Sequence, residues 1–272
     1  GLIQMTEMEN KIHSEINMPF LTVSKEAVVN VSVAPRIDPG GSVRGLVVAI
    51  EDITDVSKVK NTFKRYVSKQ VVDELLDDDA KLNLGGEKRD VTILFSDIRG
   101  FTDMSEKMNP EDVVSTLNEY FSEMIDIVFK HNGTLDKIIG DELMVVYGAP
   151  TSNEDDTLRA VATAMEMQSQ INVLNAKRIK QRKKPILAGM GINKGIVVSG
   201  NIGSRDMMDY TVIGDTVNLG ARLCSAAGPG EILVSSSVWK ETQKHYSYKK
   251  LEPIKVKGKK NKVGVYRIDH DG

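Results

Sequence analysis

The alternation of apolar and polar positions divides the chain into three zones. Between Glu26 and Thr54, Val29, Val31 and Val33 alternate with Asn30 and Ser32, the pattern of a half-buried antiparallel strand. Asp38-Pro39-Gly40-Gly41 then turns the chain into a second strand. Two or three strands do not readily make an independent sheet. Residues 1–53 are therefore expected to end a domain that begins upstream, or to form a fragment that relies on a partner. From 54 to 76 the period lengthens: Val56, Val59, Phe63 and Tyr66 follow three-four-three spacing. That spacing fits the seam of a short coiled coil and, equally, an amphipathic linker helix. Ser68 can cap a second short helix through Leu76, and Asp77-Asp78-Asp79 with Gly85-Gly86 reads as a solvated loop.

From about Arg89 onward, strands and helices alternate. Val91 to Phe95 favour a strand, which surfaces at Ser96-Asp97 and turns through Ile98-Arg99-Gly100. Asn109-Pro110-Glu111-Asp112 starts a helix with a capping side chain, an early proline and acids at the positive dipole end. Val113, Leu117, Phe121, Met124 and Val128 give it one apolar face, and Gly133 stops it. "TLDKIIGDELMVVYG" predicts a hairpin with its turn at Gly140-Asp141. A helix from about Asp155 to Ile179 and a second hairpin from 187 to 201 complete the pattern. Strand–helix–hairpin–helix–strand predicts an α+β fold of ferredoxin-like arrangement, with helices on one face of an antiparallel sheet.

Composition narrows the possibilities. The 272 residues are 40% apolar and 27% charged, enough for one large domain or one domain with an appendage. A net charge of −2 argues against a general nucleic-acid binder. Cys224 is the only cysteine, so no intrachain disulfide forms and a reducing, cytoplasmic setting is expected. The four histidines are scattered without zinc spacing, and no apolar run approaches the length of a membrane helix.

Three stretches can carry chemistry. Asp97 at a strand end and Asp141 at a hairpin tip are ordinary turn aspartates when read separately. On the expected fold they fall at adjacent sheet ends, and two such carboxylates suit a pair of Mg²⁺ ions shared with substrate phosphates. Backbone N–H groups through Gly100-Phe101-Thr102 could cradle a polyphosphate. In "MDYTVIGDTVNLGARL", Asp215 or Thr216 starts a helix on which Asn218 and Arg222 share a face. A carboxamide beside a guanidinium suits a ligand with hydroxyl and phosphate groups, although an Arg with an Asn neighbour is also common surface. "KVKGKK" at 255–260 is a basic turn, the usual dress of solvated surface.

In order, "FSDIRGFT", "LDKIIGDELM", "YTVIGDTVNLGAR" and "VKGK" resemble the signature set of class III nucleotidyl cyclases. The resemblance covers about residues 68–268, including "FKRYVSKQVVDELL", which is similar to a transducing element before bacterial catalytic domains. It divides the chain into a catalytic domain at 89–272, a signalling helix and transducing element at 54–88, and a stretch at 1–53 similar to the last strands of a PAS sensor.

The resemblance implies an adenylate cyclase in which the ribose 3′-hydroxyl attacks its own α-phosphate and pyrophosphate leaves. Asp97 and Asp141, with the Ile98 carbonyl, would hold two Mg²⁺ or Mn²⁺ ions, and Phe101 and Thr102 would contact phosphate. Arg222 would stabilise charge on the α-phosphate, Asn218 would orient the ribose, and Lys257 would grip the terminal phosphates. It further implies a homodimer with two composite sites, each with metal aspartates from one subunit and the other groups from its partner. Lys137 and Thr211 occupy the purine-reading positions. A lysine donor and a hydroxyl acceptor fit the N1 and N6 of ATP, whereas guanine reverses that pattern. A guanylate cyclase and a catalytically silent nucleotide-binding module are the alternatives. A diguanylate cyclase is set aside, because the hairpin tip reads "IIGDEL".

Overall fold

Chain geometry follows the apolar pattern closely, beginning with an N-terminal sheet. The computed structural model describes residues 1–21, 26–63, 66–68, 70–72, 84–254 and 262–269. These fall into two units, Gly1–Val67 and Ser68–Gly272. In the first, helix α1 (Leu2–Glu9) precedes strands β1 (His13–Leu21), β2 (Glu26–Ile37) and β3 (Val43–Asp52), and helix α2 (Thr54–Phe63) follows. The strands form an antiparallel sheet in the order β1-β2-β3. Val29, Val31 and Val33 are buried, as their alternation predicts, with Leu2 of α1 packed against them. The β2–β3 turn is held by Asp38, whose Oδ1 accepts from the N–H groups of Gly40 and Ser42, each at 2.9 Å. Helix α1 and strand β1 carry no clear period and escaped the sequence reading.

Of the expected helical seam, Val56, Val59 and Phe63 lie on α2 and are exposed, with Val56 at 69% and Val59 at 70%. Tyr66 does not continue the helix: it sits in a turn, its N–H donating to the Phe63 carbonyl at 3.0 Å. Residues 70–72 are helical, but the buried Ser68 hydroxyl has no hydrogen-bond partner among the described residues and does not cap them. The stretch from 73 to 83, with the expected helix end at Leu76 and Asp77-Asp78-Asp79, lies outside the described residues.

The second unit contains β4 (Gly85–Ile98), α3 (Phe101–Ser105), α4 (Pro110–Lys130), β5 (Thr134–Ile139) and β6 (Glu142–Tyr147). It continues with α5 (Asp156–Lys180), β7 (Ala188–Gly203), β8 (Met208–Ile213), α6 (Asp215–Ala226), β9 (Ile232–Ser235), α7 (Ser236–Thr242), β10 (Tyr248–Lys250) and β11 (Val265–Ile268). The sheet order is β10-β11-β9-β7-β4-β6-β5, with β8 paired to β7. Its β7-β4-β6-β5 portion is fully antiparallel, with two helical crossovers, the expected ferredoxin-like core. One departure is β9, which pairs parallel to β7.

Leu94 and Ile98 of β4 face α4 and α5, packing with Tyr120, Met124, Val128, Ala164 and Met167. Full burial of Met124 and Val128 contributes about 1.5–3 kcal/mol each. Val91, Ile93 and Phe95 point to the opposite face and pack with Val197, Val212 and Cys224. Helices therefore cover both faces, not one: α6 lies against the second. Its approach requires a glycine below it, because a Cβ at Gly191 would stand 2.1 Å from the backbone N of Cys224.

Two further expectations are corrected. Residues 187–201 are not a hairpin; Ala188–Gly203 is one long strand whose turn comes later, where Ser204 N–H donates to the Met207 carbonyl at 2.8 Å. Gly85-Gly86 is not a loop, because it pairs with Asn201 and Gly200 and extends β4. Among the described residues no helix is long and apolar enough to cross a membrane.

Candidate functional site

Strand register decides what meets at the end of β4. Asp97 lies opposite Glu142 of β6 on one side and Gly189 of β7 on the other. Gly140 takes φ 64°, a left-handed angle that turns the β5–β6 hairpin tightly. This sets Asp141 one residue from Glu142, the residue opposite Asp97, so that the Asp97 charge acts on the Asp141 carboxyl. Burial, then the negative charge of Asp97, pushes Asp141 up to about 6. The same two causes push Glu142 up to about 7. Arg99 supplies positive charge, with Nη1 at 3.1 Å from Asp97 Oδ2. Its Nη2 donates to the carbonyls of Cys224 at 2.7 Å and Gly189 at 3.3 Å, and its buried Nε has no partner. The guanidinium occupies space that only Gly189 leaves open: a Cβ there would lie 2.4 Å from Arg99 Nε.

Asp97 raises both Asp141 and Glu142 electrostatically and pairs with the one guanidinium, although among the described residues no group of three or more His, Cys, Asp or Glu side chains gathers as a metal site. Two half-buried carboxylates at neighbouring strand ends offer the oxygen donors that hard divalent cations such as Mg²⁺ or Mn²⁺ take. Gly100, at φ 68°, then leads into α3. The N–H groups of Phe101 and Thr102 fall in that helix's first turn, where intrahelical acceptors are lacking. The Phe101 ring is buried in the core and the Thr102 side chain is exposed.

A second cluster forms around Lys137, on the face of the sheet that carries Met144 and Phe95. Lys137 Nζ lies 2.6 Å from Asp209 Oδ2 and 3.3 Å from Asp136 Oδ2. Thr211 Oγ1 donates to the same Asp136 oxygen at 2.9 Å. Burial pushes the Asp136 carboxyl up, opposed by Lys137 and Thr211. Lys137 is held above its ordinary value: burial disfavours its charge, but the Asp209 hydrogen bond and the Asp136 charge outweigh it. Among the described residues, this cluster shares no hydrogen bond or ion pair with Asp97 or Asp141.

Helix α6 positions the third set. Its first turn is pinned to β7, with Asn193 Nδ2 donating to the Thr216 carbonyl at 2.8 Å and Thr216 Oγ1 to the Ile196 carbonyl at 2.7 Å. Leu219 and Leu223 are buried, while Asn218 is exposed and Arg222 half-buried one turn along the same helix. Lys257 lies outside the described residues.

Thus Asp97 and Asp141 fall at neighbouring strand ends, and Lys137 meets Thr211 through Asp136. The sequence reading missed Arg99, Asp136, Asp209 and Glu142. Arg99 and Asp136 stand beside residues it singled out, but nothing local signals that Asp136 accepts a hydrogen bond from a hydroxyl 75 residues away.

Residues 86–270 match the Adenylate and Guanylate cyclase catalytic domain family. The adenylyl cyclase CyaB from P. aeruginosa is similar in structure, at TM-score 0.67 and 37% identity, covering 70% of this chain and 98% of that one. The guanylyl cyclase Cya2 is similar at TM-score 0.64 and 41% identity, covering 70% and 96%. An uncharacterized protein of Mycobacterium tuberculosis is 33% identical over 213 residues, 78% of this chain. The chain spans 38% of that relative's length.

Proposed function

The chain belongs to the adenylate and guanylate cyclase catalytic domain family, and from that membership we propose that it converts ATP to 3′,5′-cyclic AMP and pyrophosphate. The observation that carries this reading is the strand register that sets Asp97 opposite Glu142, one residue from Asp141 at the hairpin tip. Asp97, Asp141 and the Ile98 carbonyl would hold divalent cations, which lower the pKa of the attacking hydroxyl and neutralise polyphosphate charge when bound. The remaining roles belong to the chain's own groups. Lys137 donates to adenine N1 and Thr211 accepts from the N6 amino group. Asn218 orients the ribose so that its 3′-oxygen faces the α-phosphorus. As that O–P bond forms, the bond to the β-phosphate bridge breaks, and Arg222 steadies the negative charge spread over the α-phosphate oxygens. Backbone N–H groups of Phe101 and Thr102 cradle the phosphates, and Lys257 grips their end.

The presence of both sets of groups in one chain supports composite sites in a head-to-tail homodimer. In this reading each site takes Asp97 and Asp141 from one protomer and the base, ribose and phosphate contacts from its partner. The three-stranded N-terminal sheet and the exposed apolar seam of α2 support a PAS-like sensor end and a signalling helix upstream of the catalytic domain. The 41% identity to a guanylyl cyclase domain makes GTP the second reading.

The test is substitution. Asp97→Ala and Asp141→Ala should each abolish cyclisation while leaving circular dichroism unchanged, because both sit at half-exposed strand and turn ends. Retained activity in either variant at saturating Mn²⁺ would overturn the metal assignment.

A further inference from the structure

The Lys137–Thr211 pair rests on one buried carboxylate, and the direction of a single proton there has a consequence for the base. A hydroxyl has one proton to give and two lone pairs to receive with. Thr211 gives its proton to Asp136 Oδ2 at 2.9 Å. Asp136 is only 4% exposed at its side chain, and its other neighbour on that oxygen is the Lys137 ammonium at 3.3 Å. An ionised carboxylate cannot donate, so the Thr211 oxygen is left as an acceptor only. The Lys137 ammonium has three N–H donors. Asp136 and Asp209 take two of them, and among the described residues no third partner is present, so one N–H is available outward.

We propose that Asp136 is a specificity-determining positioning residue: by taking the Thr211 proton and one Lys137 proton, it fixes an acceptor beside a donor and so selects adenine over guanine. Adenine offers an N6 amino donor next to the N1 acceptor and meets this pair directly. Guanine presents an O6 acceptor next to an N1–H donor, so acceptor faces acceptor and donor faces donor. A free threonine hydroxyl would rotate and donate to guanine O6. Tethered to Asp136, it cannot do so without abandoning a buried anion, which is costly. Neutral though it is, Thr211 thereby discriminates in the manner of a fixed acceptor. The inference rests on the proposed reading that Lys137 and Thr211 face the purine.

The experiment measures kcat/KM for ATP and for GTP in the full chain with Mn²⁺, for the parent and for Asp136→Ala, Asp136→Asn and Thr211→Val. Asp136→Ala frees the hydroxyl, and the ATP-to-GTP ratio of kcat/KM should fall about tenfold or more, through a rise in KM for ATP and a gain with GTP. Asp136→Asn keeps the buried shape and serves if the alanine variant does not fold; its amide can present either an acceptor or a donor, and an intermediate ratio is expected. A merely structural role would lower both activities together and leave their ratio unchanged. Thr211→Val separates the two levels of the argument. If it shifts the ratio while the folded Asp136 variants keep the parent's, the proton-direction inference is wrong and the purine-reading assignment stands. If Thr211→Val also leaves the ratio unchanged, the assignment itself fails and the inference with it.

Discussion

If the Asp97–Asp141 pair is built for cations, it should be a liability to the fold when they are absent. Asp141 is raised from its ordinary 3.8 to about 6, first by burial and then by the charge of Asp97. Below pH 3.8 the folded and unfolded chains both hold the proton, and the penalty vanishes. Above about 6 both have lost it, and the full penalty stands against the folded state. At about 1.36 kcal/mol per unit of pKa, the difference corresponds to roughly 3 kcal/mol. Partial exposure lets solvent screen the repulsion, which leaves roughly 1.5 kcal/mol. Asp141→Asn removes this charge at nearly constant shape. In EDTA at pH 7 its Tm should exceed the parent's by about 3–6 °C, as expected for a unit of this size. At pH 5 the gap should narrow, since the parent is then largely protonated at this position. Adding Mg²⁺ should raise the parent's Tm and move the variant's much less. Differential scanning calorimetry on both chains at the two pH values reads all of this. A variant no more stable than the parent in EDTA at pH 7 would show that the carboxylates do not repel, and the electrostatic case for a cation site would be lost.

Complementation tests the composite sites: Asp97→Ala and Arg222→Ala chains, each inactive alone, should regain activity on mixing, and heterodimers that stay inactive would place each site within one subunit. Gly191→Ala should destabilise the catalytic unit by about 3 kcal/mol or more, because its Cβ would meet the α6 backbone at 2.1 Å; a near-parental Tm would contradict that crossing. One residue inserted after Lys60 should change turnover strongly, while a full heptad, which restores the facing of Val56, Val59 and Phe63, should preserve much of it. If both insertions leave the rate unchanged, α2 is a tether and carries no signal.

What the sequence disclosed depended on how local the cause was. The Gly140-Asp141 turn and the Asn109-Pro110 helix start are set by their own residues and stand where the pattern puts them, although the Asn109 side chain makes no capping hydrogen bond to the backbone and reaches Asp112 at 3.5 Å instead. The stretch 187–201 misled because Asn193-Lys194-Gly195 has the chemistry of a turn. In the fold those residues serve α6 instead: Asn193 holds the Thr216 carbonyl, and Gly195 makes room for Thr216 Oγ1, which would lie 2.9 Å from a Cβ there. Gly85-Gly86 was misread for a similar reason, since a Cβ at Gly86 would stand 2.6 Å from Val198 Cγ1 and the glycine permits the strand pairing. That Asp97 and Asp141 fall at neighbouring strand ends was legible because the βαββαβ topology sets β4 beside the β5–β6 hairpin. Arg99, which neutralises Asp97, and Asp136, which joins Lys137 to Thr211, act through contacts between distant segments. No spacing along the chain encodes them.

The most direct test of the account is product analysis. The full chain, its oligomeric state checked by sedimentation, is incubated with Mn²⁺ or Mg²⁺ and with ATP or GTP, and the products are separated by liquid chromatography. The account predicts 3′,5′-cyclic AMP and pyrophosphate in equal amounts from ATP, with much slower formation of cyclic GMP from GTP. Faster cyclic GMP formation, or a bound nucleotide recovered unchanged under all four conditions, would contradict it.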